Sequence, residues 1–180
     1  MPRSVLLASG HFFAYAGGTM DVTAKKPIRN SAKALIIHGD RFLAIRKKQG
    51  EREYFVLPGG GQEREETLAD AVKRECKEEV NADVEVRELL FVREYIGRNH
   101  EFARFDSDLH QVEFVFRCEV ANERDLGAGS HPDNRQVGVA WMPIAEARST
   151  ELYPKAFRDQ IADLNAVPAG TRNVYLGDVN

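Results

Sequence analysis

Residues 60–82 read GGQEREETLADAVKRECKEEVNA, and this stretch decides the fold. Its second part predicts a helix over 67–80. Thr67 can act as N-cap, with Asp70 three residues on as an acidic variant of the capping box. Leu68, Val72, Cys76 and Val80 recur every four residues and form one apolar stripe for a core. Asn81 ends the helix, because asparagine tolerates the left-handed conformation that helix termini often need. Glu75, Glu78 and Glu79 stand at i, i+3 and i+4, so their carboxylates leave one side of the helix. Like charges so placed destabilise an isolated helix by about 0.2–0.5 kcal/mol per pair. A hard divalent cation reverses that penalty, since clustered carboxylate oxygens suit Mg²⁺. Taken alone, the three glutamates read more readily as a solvated face than as a metal site. Just upstream, Gly59, Gly60 and Gly61 let the backbone turn tightly and approach a ligand closely. A glycine carbonyl there could add an oxygen ligand, and Arg74 could fix the Glu75 carboxylate by a bidentate pair.

Outward from this stretch the chain alternates strands with turn signals. Ala32–His38, a Gly39-Asp40 turn and Arg41–Arg46 read as a β-hairpin. A charged loop is expected from Lys47 to Glu53, then a short strand Tyr54–Leu57 stopped by Pro58. Beyond the helix come an alternating strand Asp83–Tyr95, a polar and aromatic loop Gly97–Ser107, and a strand Leu109–Val120. A turn-rich stretch leads to Gln136–Met142 as the last strand. A C-terminal helix starts near Pro154 with Phe157, Ile161 and Leu164 inward. Strands and helices mix without regular βαβ alternation, so the fold class is α+β.

Composition excludes several classes. The chain has 180 residues, Lys+Arg 25 against Asp+Glu 28 and a net charge of −3. It carries no apolar run of the roughly 18 residues a membrane helix needs. The acidic balance speaks against duplex DNA as a partner. Cys76 and Cys118 make neither a disulfide framework nor a zinc spacing, which fits a reducing, cytoplasmic compartment. Residues 1–27 form an N-terminal extension ahead of a domain spanning 28–180. Val5-Leu6-Leu7-Ala8 and Phe12-Phe13-Ala14-Tyr15-Ala16 imitate a signal peptide, but Ser9, Gly10 and His11 interrupt the apolar region.

Gly60, five residues, Glu66, seven residues, then Arg74-Glu75-Cys76-Lys77-Glu78-Glu79-Val80-Asn81-Ala82 resembles the Nudix box, G-x5-E-x7-R-E-U-x-E-E-x-G-U. Six of the seven fixed positions match, and Asn81 replaces the second glycine. With residue frequencies of about 7%, such a match has a chance probability of order 10⁻⁷ per start position. The resemblance implies an α/β/α sandwich with a mixed β-sheet. It also implies a Mg²⁺-dependent (or Mn²⁺-dependent) pyrophosphohydrolase, cleaving a diphosphate bond in a nucleotide or a nucleoside diphosphate linked to a group X. Carried over, Glu78 and Glu79 are metal ligands with the Gly59 carbonyl, and Glu75 meets a second metal or orients the attacking water. Glu66 and Arg74 hold the loop and helix in register. Glu79 is expected to face solvent.

Outside the box the expectations are coarser. Arg46, Lys47, Lys48 and Arg52 lie close enough in sequence to meet substrate phosphates; Arg46, ending an apolar strand, and Arg52 are chosen with Gly60 as substrate-binding residues. Lys47 and Lys48 read equally as a solvated basic loop. Glu113 is the candidate metal ligand or base from another strand. Phe102 and Phe105 stack on a base, pin the loop, or make the contact of a homodimer. His110 and His131 read as surface or loop histidines. Residue 97 is Gly where an ADP-ribose enzyme of this family would be expected to carry proline. The other classes weighed are removal of a 5′ diphosphate from RNA, nucleotide sensing without cleavage, and isomerisation of isoprenoid diphosphates through Cys118.

Overall fold

The computed structural model describes residues 26–123 and 126–180; the signal-like stretch 1–25 lies outside them. Two hairpins start the fold. β1 (Arg29–His38) and β2 (Arg41–Gln49) are joined at Gly39-Asp40, and β3 (Arg52–Val56) returns along β2. β4 (Gly59–Gly61) pairs antiparallel with β1, and α1 (Leu68–Val80) follows. β5 (Val84–Ile96) and β6 (His110–Val120) pair antiparallel, flanking the one-turn helix α2 (Ala103–Asp106). β7 (Gln136–Pro143), β8 (Leu152–Tyr153), α3 (Ala156–Ala162) and β9 (Tyr175–Asp178) complete the fold. The strand order is β8-β3-β2-β1-β6-β5-β9, with β4 on β1 and β7 on β2. β1–β6, β3–β8 and β5–β9 are parallel and the other pairs antiparallel, so the sheet is mixed and the class α+β.

The period-2 alternation of the strands builds two cores. Ala32, Ala34 and Ile36 of β1 and Leu43 and Ile45 of β2 pack with Val72, Cys76 and Val80 of α1. Their neighbours Leu35, Phe42 and Ala44 pack with Phe157 and Ile161 of α3. The sheet therefore lies between α1 and α3, and each residue's parity decides which helix it faces.

The helix ends behave as their residues require. The Thr67 hydroxyl accepts the Asp70 N–H while the Asp70 carboxylate reaches back to Thr67, closing the capping box. Asn81 sits in the left-handed region at φ 52° and ψ 32°. Asn81→Gly is expected to change stability by less than about 0.5 kcal/mol, whereas Asn81→Ala should cost about 1 kcal/mol. Urea denaturation of the pair checks this, and equal losses for both would refute it.

Three expectations are corrected. The stretch Lys47–Glu53 is not a loop: β2 runs to Gln49, turns at Gly50-Glu51 with Gly50 at φ 61°, and re-enters β3 at Arg52. Lys48 stands opposite Glu53 across this hairpin. A largely exposed strand end needs no apolar residue, so its sequence shows no alternation. Gly97–Ser107 holds a 3₁₀ turn and α2, tightened because a Cβ on Gly97 would strike the Asp106 carbonyl. Finally, Gln136–Pro143 is not the last strand. β8 and β9 are short additions at the two ends of the strand order, below the length at which periodicity is readable.

Candidate active site

Arg74 organises the site. Its guanidinium donates to both Glu66 oxygens (2.8 and 3.1 Å), to Glu75 (2.9 Å), to Glu78 (3.3 Å) and to the Gly61 carbonyl (2.9 Å). A planar fork can bind several acceptors in fixed directions, which an ammonium cannot. The glycine strand and the carboxylate helix are thus tied through one side chain. Glu66 also accepts the Glu63 N–H at 2.6 Å. The Arg74 guanidinium beside it holds its carboxyl below the usual range.

Glu79 is the correction that matters most: it is buried, only 5% exposed, and does not face solvent. Its carboxylate accepts the Gly59 N–H at 2.7 Å. Burial pushes its pKa up to about 7, against the pull of the Lys33 ammonium and that N–H; the Asp133 and Glu75 carboxylates add to the rise. Lys33 donates to the Gly59 carbonyl. Gly59 has φ +124°, and a Cβ there would enter the backbone of Ala32 and Lys33. A Cβ on Gly60 would instead enter the Glu75 carboxylate, the end of a movable side chain. Gly60→Ala is therefore expected to fold with a melting temperature near wild type while losing activity through a displaced Glu75. Gly59→Ala should be destabilised by about 3 kcal/mol or more, from strained backbone plus collision. Thermal melts and turnover of the two variants check the contrast; a parallel loss of stability in both would overturn it.

Glu75, Glu78 and Glu79, with Glu63, form one wall of a cleft of about 690 Å³; residues 130–134 form the other. That second wall is laid on the C-terminal turn of α1. Gly129 N–H and the Gln136 side-chain amide donate to the Glu79 carbonyl, and His131 N–H to the Glu78 carbonyl at 2.8 Å. These bonds satisfy carbonyls that a helix end leaves open. His131 is an exposed loop histidine, as its sequence suggested, and this docking makes it part of the cleft wall. Asp133, Gln136 and Lys33 also belong here, and nothing in their local sequence marks them. Lys47 pairs with Asp133.

Other expected members stand elsewhere. Glu113 is not brought to the α1 carboxylates. It shares the α3 face of the sheet with its neighbour Val115, is buried, and spends its two oxygens on Arg93 and Gln111. Neither Arg46 nor Arg52 lines the cleft. Arg46 has the parity of Phe42 and Ala44 and lies by Gly138, while Arg52 pairs with Glu151 and lies over Tyr153. Phe102 and Phe105 are outside it too, Phe105 being 81% exposed beneath Arg104. Burial raises both thiols, Cys118 to about 12. Cys118 is enclosed in the α1 core and does not line the cleft, so the isomerase reading loses its acid/base candidate.

The donors that the α1 side offers a cation are hard oxygens: Glu75, Glu78 and Glu79, with the nearby Gly59 carbonyl. That chemistry fits Mg²⁺ or Mn²⁺. Among the described residues no three acidic, histidine or cysteine side chains are gathered into a ready cation cage, because Arg74 holds Glu75 and Glu78 toward itself.

Fold and site together define a hydrolase acting on phosphoanhydride bonds. A family model described as the NUDIX domain matches residues 27–164, and the chain belongs to the NUDIX family. Solved structures agree in fold. A NUDIX hydrolase from Nitrosomonas europaea is similar at TM-score 0.64 and 19% identity, over 86% of this chain and 80% of that one. A MutT NUDIX hydrolase from Burkholderia pseudomallei is similar at TM-score 0.56 and 26% identity, over 76% and 98%. An ADP-ribose pyrophosphatase from Streptococcus suis is similar at TM-score 0.54 and 18% identity, over 86% and 100%. No curated protein matches the chain in sequence. Among the described residues no helix is long and apolar enough to cross a membrane.

Proposed function

We propose that the protein hydrolyses the diphosphate bond of a nucleoside diphosphate linked to a group X, with Mg²⁺ or Mn²⁺ held by Glu75, Glu78, Glu79 and the Gly59 carbonyl. The observation that carries this reading is the Arg74-organised set of carboxylates on α1, facing a cleft beside a glycine strand. The bound cation supplies Lewis acidity to the diphosphate oxygens. The chain's own residues do the positioning. Arg74 and Glu66 hold α1 against β4, and Gly60 leaves room for Glu75 to reach the cleft. Glu79, whose carboxyl is held near pKa 7 by burial in the metal-free chain, gives up that proton on taking the cation, and Glu75 is placed to orient the attacking water. The likeness to an ADP-ribose pyrophosphatase supports a substrate of the nucleoside diphosphate–X type.

The test is incubation of the purified protein with Mg²⁺ and a panel of nucleoside triphosphates, nucleoside diphosphate sugars and dinucleoside polyphosphates, products being separated by chromatography. Cleavage into two phosphorylated products, abolished by EDTA and restored by Mg²⁺ or Mn²⁺, is the expected result. Cleavage that persists in EDTA would refute the metal assignment. Silence across the panel would refute the substrate class.

A further inference from the structure

Resting on the reading above, we infer that Lys47 is the residue that takes up a substrate phosphate, and that Asp133 holds its ammonium in place at the cleft wall until the phosphate replaces it. Beyond the three glutamates assigned to the cation, a diphosphate entering this cleft meets Glu63 and Asp133, so a side-chain cation whose present partner can be exchanged adds to the metal's hold on it. Arg74 is committed to three carboxylates and the Gly61 carbonyl, which fix the site itself. Lys33 donates to the Gly59 carbonyl in the metal-free chain and lies beside Glu79, inside the turn that holds it. Arg46 lies on the other face of β2 by Gly138 and Arg52 pairs with Glu151; neither they nor Lys47 line the cleft itself, but Lys47 alone of the three is paired with a residue that does.

Lys47 differs from all of these. It has the parity of Leu43 and Ile45, which places it on the α1 side of β2. Its side chain is 12% exposed, and its partner Asp133 lines the cleft at 33%. The stem is thus packed, which limits the ordering entropy of a new contact, while the charged end meets a carboxylate at the cavity surface. The wall carrying Asp133 has its own anchors. Asp133 N–H donates to the Gln136 side chain, Lys48 N–H donates to the Arg135 carbonyl, and Gln136 is tied to α1. The ammonium can change partner without the wall losing its place.

Opposite signs for the two members of the pair distinguish this role from a structural salt bridge. The probe is methylene diphosphonate, a diphosphate that cannot be hydrolysed, bound in Mg²⁺ buffer and followed by calorimetry. Lys47→Met is expected to weaken binding about tenfold and to raise KM similarly, with kcat within about threefold. It should also lower the salt dependence of binding. Asp133→Asn, which removes both the competitor and its repulsion, is expected to tighten binding about threefold, and most of that gain should vanish in the double variant. Lys47→Arg should restore binding, and Lys48→Met, altering the exposed neighbour, should match wild type. Metal-free melting curves control for folding. Equal binding by wild type and Lys47→Met, or weaker binding by Asp133→Asn, would overturn the inference while leaving the proposed reaction intact. A wild-type protein that neither binds the probe nor cleaves the panel would overturn both.

Discussion

Glu79→Gln is expected to lose about 10³-fold in kcat/KM, several kcal/mol of transition-state stabilisation, and yet to be more stable than wild type in metal-free buffer at pH 8. The two effects come from one fact, the burial of a carboxylate. Glu79 is 5% exposed and its pKa is raised from 4.5 to about 7 by that burial. The folded chain therefore binds this proton more tightly than the unfolded chain does. Its favourable contribution is complete below pH 4.5 and is lost as pH rises through about 7. At about 1.4 kcal/mol per tenfold change in proton affinity, the loss amounts to roughly 3 kcal/mol by pH 8. A neutral amide avoids it, and its oxygen can still accept the Gly59 N–H. Denaturant curves for wild type and variant at pH 5 and pH 8, each in EDTA, read the crossing directly. A variant less stable than wild type at pH 8, or one that keeps full activity with Mg²⁺, would refute the assignment. Mg²⁺ should also stabilise wild type more than the variant, because binding to the folded state alone raises its stability.

Arg74→Met carries the second large effect. Removing the guanidinium leaves Glu66, Glu75 and Glu78 beside one another with no cation between them, at side-chain exposures of 16%, 12% and 36%. Breaking a fully buried pair costs about 3–5 kcal/mol; with partial solvent access here, about 2–3 kcal/mol is expected. In a chain of this size that lowers the melting temperature by roughly 5–10 °C. Activity should fall with it, since Glu75 and Glu78 lose the group that orients them. Arg74→Lys should recover only part of either loss, because one ammonium cannot span Glu66, Glu75, Glu78 and the Gly61 carbonyl together. A Lys variant equal to wild type would show that charge alone, not the fork, is used.

The site was half legible. Everything in α1 could be read because a helix converts spacing into direction: Glu75, Glu78 and Glu79 share a side whatever surrounds them. The capping box and the left-handed Asn81 were equally local. Phe157 and Ile161 of α3, and Leu164 just beyond its end, are buried as their spacing required. The placement of the residues chosen outside the helix follows from strand parity. Arg46 was preferred for ending an apolar strand, but adjacent strand residues face opposite layers, so Arg46 lies on the α3 side of β2 and Lys47 on the α1 side. Glu113 was a sound acidic residue on a sound strand, but its parity sends it toward Arg93 and α3. His131 and Asp133 sit in a turn-rich stretch whose docking on the end of α1 depends on backbone hydrogen bonds that no residue type announces.

The sequence by itself determined the carboxylate-bearing helix, its caps, the α+β class and the family. All of these rest on interactions within a few residues or on a fixed register of charged positions. That the three glycines before the helix pair with β1 as a strand is a property of the fold. Only the tertiary structure decided that Glu79 is buried, that Lys33 and Gly59 flank it, that Asp133 and His131 close the cleft, and that Lys47 rather than Arg46 pairs with Asp133 of its wall. The physical reason is common to these cases. A side chain's solvation and its long-range partners are properties of how separate strands and loops pack, and packing is set by the whole chain rather than by neighbours in sequence.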